Sequence, residues 1–200
     1  MAEDRRVRKT RNAIKNAFIQ LLKEKDLDKI TISDISNAAD INRGTFYLHY
    51  EDKYILLTSM ENEYVEELHS MTRISKLLES VKNIDEFLEV YTNHFLKNVM
   101  EHVQANLEFY QVVLNLDRRS QLEERLKENI LENMSARMDD KGEIAGIPLS
   151  YFHSYVCGSM LALFKQWVQD EQRVDVDTLI TYIAKLSFNG PLRLIASDNI

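Results

Sequence analysis

Residues 43–53 read RGTFYLHYEDK, and they bring guanidinium, hydroxyl, imidazole and ammonium groups together around one short apolar turn. Arg43, at the start of the stretch, carries the paired donors that match a guanine edge. Thr45 and Tyr47 offer hydroxyls, His49 a ring nitrogen and Lys53 a cation, the kinds of group that hold phosphate oxygens. Gly44 has no side chain to keep the backbone away from a partner. Phe46, Leu48 and Tyr50 are expected to point inward or lie half-buried. This chemistry suits the major groove of B-DNA, about 12 Å wide, if a short helix presents it after a tight turn.

The preceding residues supply such a helix and turn. Thr31 followed three residues later by Asp34 has the form of a capping box and starts a helix there. Asp40-Ile41-Asn42 interrupts that helix after two turns, and Asn42 then caps a further short helix through His49. Ile35, Ala39, Ile41 and Phe46 point inward, and the small Ala38 and Ala39 allow two short helices to cross closely. Ile14, Ala17, Phe18, Leu21 and Leu22 form the apolar stripe of a supporting first helix that ends near Lys25. The pattern is a helix-turn-helix.

Composition sets the wider frame. With 200 residues, 44% hydrophobic, five Gly and two Pro, and apolar residues recurring at three- and four-residue spacings, the chain is expected to be all-α. A net charge of −7 argues against coating nucleic acid along the whole length, but the charge is uneven. Residues 1–53 hold 11 Lys/Arg against 9 Asp/Glu, and the remainder holds 14 against 23. Arg5, Arg6, Arg8, Lys9, Arg11 and Lys15 stand together with no acid among them, which suits a polyanionic partner. No apolar run reaches the roughly 18–20 residues that cross a bilayer, and the charged opening MAEDRRVRKTR is not expected to act as a secretory signal. A single Cys157 fits a reducing cytoplasm and reads as a small buried hydrophobe. The five His are scattered, and no spacing calls for a metal, a cofactor or a catalytic triad.

Beyond residue 53 the chain reads as further helices. Glu51 and Asp52 are expected in the first turn of a long one, continued by Leu57, Met60, Tyr64, Leu68, Met71 and Leu78. Another spans roughly 84–104, and residues 106–116 and 120–138 are helical in pattern. DDKGEIAGIP is the clearest loop, and Pro148 suits the first turn of the helix after it. A last helix starts near Asp177 and breaks at Asn189-Gly190-Pro191. Ser154, Gly158 and Ala162 recur every four residues, a small-residue line that lets another helix approach, within the protomer or across a dimer.

The run TISDISNAADINRGTFYLHYEDKYILL closely resembles the DNA-binding signature of the TetR (tetracycline-repressor-like) family, over about residues 10–57. The resemblance implies a DNA-binding domain over 1–53 and a ligand-binding and dimerisation domain over 54–200. It implies a homodimer on a double-stranded operator, a transcriptional regulator and most often a repressor, released by a small molecule. By position, Arg43, Gly44 and Thr45 would face bases or nearby backbone. Tyr47, His49 and Lys53 would hold phosphate, as would Thr31 and Ser33, although Ser33 stands where many members carry Arg. The basic arm of Arg5, Arg6, Arg8 and Arg11 could reach an adjacent minor groove. Tyr64, Leu68, Tyr91, Phe95, Phe109, Tyr110 and Trp167 are candidates to line an effector pocket, and their character favours an apolar or amphipathic effector. A helical ligand-binding or scaffolding protein without DNA function is the alternative, with an enzyme third; neither needs Arg43, Tyr47, Lys53 and the basic arm together.

Overall fold

The first helix, α1 (Arg5–Glu24), forms because Ile14, Ala17 and Phe18 recur at helical spacing and bury on one side. The computed structural model describes residues 5–72, 81–116, 121–135 and 138–197. A single 3₁₀ turn, Leu27–Lys29, joins α1 to α2 (Ile32–Ala38), and α3 (Arg43–Tyr47) follows. Then come α4 (Lys53–Thr72), α5 (Ile84–Glu89), a π-helical stretch Val90–Leu96, α6 (Lys97–Ala105) and α7 (Leu107–Leu114). After α8 (Gln121–Ser135) a two-stranded ribbon leads to α9 (Leu149–Gln169), α10 (Val176–Asn189) and α11 (Pro191–Ser197). Leu78, expected to extend α4, lies outside the described residues.

The chain groups into two compact units. The first comprises Met1–Glu66 with Glu108–Arg125. Its core holds Ile14, Phe18, Ile30, Ile35, Phe46, Leu56, Leu57 and Met60, all buried. The α7 segment joins this unit through polar and aromatic contacts: Glu108 accepts from Gln20 at 3.0 Å and pairs with Lys23 at 2.8 Å. Next to it, Phe109 stacks on Tyr64 with ring centroids 3.9 Å apart.

The second unit comprises Glu67–Leu107 with Leu126–Ile200. Phe87, Tyr91 and Phe95, four residues apart, stack in sequence, and Phe188 packs edge-on against the first two. Asp175 caps α10 by accepting from Thr178 N–H at 2.9 Å. Gly190, at φ 74°, ends it in a conformation that suits glycine.

Three expectations need correction. Residues 139–148, read as a loop, contain an antiparallel ribbon pairing Glu143 with Pro148 and Ile144 with Ile147. Its central residues, Ala145 (φ 53°) and Gly146 (φ 77°), both have the positive φ of the tight turn whose twist matches a hairpin. Pro148 precedes α9 as its cap rather than lying in its first turn. Asp52 likewise caps α4 from outside, its Oδ1 accepting from Tyr54 and Ile55 N–H at 2.8 and 2.7 Å. Otherwise the architecture is all-α as expected, and no helix of the described residues is long and apolar enough to cross a membrane.

Candidate nucleic-acid interface

Two caps set the helix-turn-helix. Thr31 Oγ1 accepts from Asp34 N–H at 3.1 Å, while the Thr31 N–H donates back to Asp34 Oδ2 at 2.9 Å, a complete capping box. These bonds from the Thr31 backbone and hydroxyl hold the Asp34 carboxyl below its ordinary pKa. Asp40 takes φ 53° in the turn, a left-handed conformation that Asp tolerates better than most residues. Asn42 Oδ1 then accepts from Thr45 N–H at 2.8 Å and starts α3.

The caps also occupy hydroxyls that the sequence offered to phosphate. Thr45 Oγ1 donates to Asn42 Oδ1 at 3.0 Å, and Thr31 Oγ1 donates to Asp34 Oδ2 at 2.9 Å. Each hydroxyl has one proton, so in this arrangement both present only acceptor lone pairs outward. Ser33 is half-buried.

Lys53 departs furthest from expectation. Its Nζ donates to the carbonyls of Leu27, Asp28 and Ile30 at 2.8, 2.9 and 2.8 Å, filling all three N–H positions. The ammonium also lies 5.2 Å from the centre of the Tyr54 ring, whose hydroxyl donates to Asp28 Oδ1 at 3.0 Å. Lys53 thus fastens the start of α4 to the turn between α1 and α2. It does not present a free cation to phosphate.

Arg43, Gly44 and Tyr47 are exposed on α3, and His49 is half-buried against the Tyr50 ring. Tyr47 meets Phe46 edge to face at 5.7 Å, which fixes its ring while leaving half its surface open. A Cβ at Gly44 would come within 3.3 Å of Asn42 Oδ1, so glycine here also protects the cap. Arg5, Arg6 and Arg8 are exposed and Arg11 half-buried, but they are not a loose arm: all four lie in the first turns of α1. No acid stands in that first turn, so the cations face the positive end of the helix dipole, an arrangement that a nearby polyanion relieves.

Leu48 also departs from expectation. Expected to point inward, it is 84% exposed. Phe46 and Tyr50, four apart, take the buried face, and Leu48 lies about 200° round the helix from Phe46 at roughly 100° per residue. That spacing was legible in the sequence.

The seven pocket candidates are shared between the two units. Tyr64, Phe109 and Tyr110 make an aromatic cluster of the first unit, with Phe109 and Tyr110 fully buried. Tyr91 and Phe95 belong to the ladder of the second unit, where Leu68 and Trp167 are also buried. Trp167 Nε1 donates to Val174 O at 2.8 Å, tying the indole to the α9–α10 turn. Ser154, Gly158 and Ala162 are all exposed on α9, beside Tyr151 and Tyr155 at 74% and 68% exposure.

Comparison with known proteins decides the family. The model for "Bacterial regulatory proteins, tetR family" matches residues 15–60, spanning α1 to α4, and that for "Transcriptional regulator C-terminal region" matches 91–189. The chain belongs to the TetR family of transcriptional regulators. The chain is 52% identical over 58 residues to the uncharacterized HTH-type regulator YxbF of Bacillus subtilis, a match spanning 28% of this chain and 15% of that protein. Over nearly its whole length this TetR-family chain is 24% identical to a fatty acid metabolism regulator of Bacillus subtilis, across 88% of this chain and 92% of the relative. The fold is shared with the fatty acid degradation regulator FadR of Bacillus halodurans, at a TM-score of 0.68 and 17% identity, covering 91% and 96% of the two chains. The TetR-family chain is thus a DNA-binding regulator of transcription with an all-α fold.

Proposed function

We propose that the chain acts in the bacterial cytoplasm as a homodimeric repressor that leaves a near-palindromic operator when it binds an apolar or amphipathic small molecule. DNA reading belongs to residues 1–53, and effector binding and pairing to 54–200. The observation that carries the reading is the exposure of Arg43 and Tyr47 on a short helix held rigid by the Asn42 cap. Preorganised groups lose little freedom on binding, which suits sequence readout.

Pairing is supported by an uncovered face. Tyr151, Ser154, Tyr155, Gly158 and Ala162 lie on one stripe of α9, and Tyr182 and Leu186 on one stripe of α10, all exposed in the protomer. A second copy would cover both stripes with a self-complementary interface. A single five-residue reading helix also contacts too few bases for genomic specificity, so two heads are needed.

The effector reading rests on the Phe87, Tyr91, Phe95 and Phe188 ladder, of which Tyr91 and Phe95 lie in the π-helical stretch. Stretches of π-helix recur at functional sites. Burial pushes the Tyr91 hydroxyl up to a pKa of about 12, so it stays protonated and can donate to a carboxylate. The fatty acid metabolism regulator among its relatives favours a fatty acid as the first class to test.

Selection from random duplexes at moderate salt tests the operator; it should enrich a near-palindrome with half-sites about one turn (~34–36 Å) or a longer stretch apart. Fatty acids added to that complex should release the DNA and change the emission of the single Trp167. Enrichment of no site would refute the reader. A site that no apolar compound releases would leave a constitutive binder.

A further inference from the structure

A lone exposed leucine is ordinary on a protein surface. Leu48 is informative because of its neighbours. It stands between Tyr47 and His49 at the end of α3, the short helix that the exposed Arg43 begins. Its N–H donates to Gly44 O at 3.2 Å, so the two residues sit one turn apart on the same face. Side chains on a helix lean toward its N-terminus, so Leu48 leans over the spot where Gly44 has no Cβ. The result is a small notch, apolar on its Leu48 and half-exposed Tyr47 sides, with Gly44 as floor and Asn42 Oδ1 at its edge.

Few groups in a DNA major groove reward such a notch. Base edges there present amino groups, ring nitrogens and carbonyls, and the C5-methyl of thymine is the apolar exception. A polar base edge against Leu48 would lose water and gain no hydrogen bond, whereas a methyl would gain from leaving water. We propose that Leu48, over Gly44, reads a thymine methyl in each operator half-site and so sets specificity at one position. The proposal rests on the operator reading above and adds one named base contact to it.

The test replaces thymine by deoxyuridine, which deletes the methyl and leaves the pairing edge intact. Once a site has been selected, each thymine of a half-site is replaced in turn, with its symmetry mate, and binding is measured for the wild type and for Leu48→Ala. One thymine should cost the wild type about threefold to fivefold per half-site, as expected for removing one methyl from an apolar contact. Leu48→Ala should bind the unmodified site more weakly and be indifferent to that replacement, while Leu48→Met should keep the wild-type response. If no thymine matters to the wild type, or if Leu48→Ala loses as much as the wild type at the sensitive one, Leu48 does not read a methyl. Those results leave the operator reading intact, because the site itself has been found. Failure to select any duplex would overturn both.

Discussion

The Lys53 ammonium donates to the Leu27 carbonyl at 2.8 Å, across the turn that joins the first two helices. With the Asp28 and Ile30 carbonyls also satisfied, the cation closes the end of the 3₁₀ turn much as a basic residue closes the end of a helix. Replacing it by Met should therefore act on folding before it acts on DNA. Hydrogen bonds from a charged group are worth about 1.5–3 kcal/mol, and Lys53→Met should lose stability of that order in chemical denaturation. Operator affinity should fall, but the slope of log affinity against log salt should not change. A direct phosphate contact would instead lower the slope by about 0.9. Titrations at four or five salt concentrations separate the two.

Arg43 shows the opposite balance. It is exposed at the first position of α3, so Arg43→Ala should leave the unfolding midpoint where it was. The loss should appear in recognition, as roughly 1–3 kcal/mol of discrimination at one base position. Asn42→Ala is the control: loss of the cap that holds Thr45 N–H should cost about 1 kcal/mol of stability. Repeating the duplex selection with each variant should relax one position for Arg43→Ala and weaken all positions alike for Asn42→Ala.

These contrasts also mark how much the sequence revealed. The Thr31–Asp34 box and the Asn42 cap were legible because each needs only a residue type at a fixed spacing from its partner. The same is true of the stop at Gly190 and of the buried stripe on α1. The partners of Lys53 were not legible. They are backbone carbonyls more than twenty residues away, and carbonyls carry no sequence signal. The insertion of α7 into the first unit was hidden for a similar reason: an apolar segment does not say which core it joins. The apolar run NLEFYQVVL therefore gave a helix but not its neighbours, such as the Tyr64 ring that stacks on Phe109.

Ser36 offers a test of the core itself. It is 1% exposed on α2, and its Oγ is buried without a hydrogen-bond partner. A buried hydroxyl left unpaired gives up its water and gains nothing in return. Ser36→Ala should therefore be neutral or stabilising, by up to about 1 kcal/mol, where most core changes are harmful. A calorimetric midpoint at or above that of the wild type would fit. A clear drop would mean that the hydroxyl has a partner in solution.

Gly158 separates the fold of the protomer from its assembly. A Cβ built there meets nothing within 4 Å, so a side chain fits the isolated protomer without displacing a neighbour. In a helix interior, replacing glycine should by itself help, since Gly is disfavoured there by about 1 kcal/mol relative to Ala. Gly158→Glu should thus keep its helical content and midpoint as a protomer. Across a paired α9 face the same carboxylate would meet its symmetry mate, or the Tyr155 and Ala162 stripe, in an interface expected to bury more than roughly 1,600 Å². Two like charges taken out of water together cost far more than the helix gains. Sedimentation should show a folded monomer, and operator affinity should collapse toward that of a single head. If Gly158→Glu remains a dimer that binds the operator, the pairing face lies elsewhere on the chain.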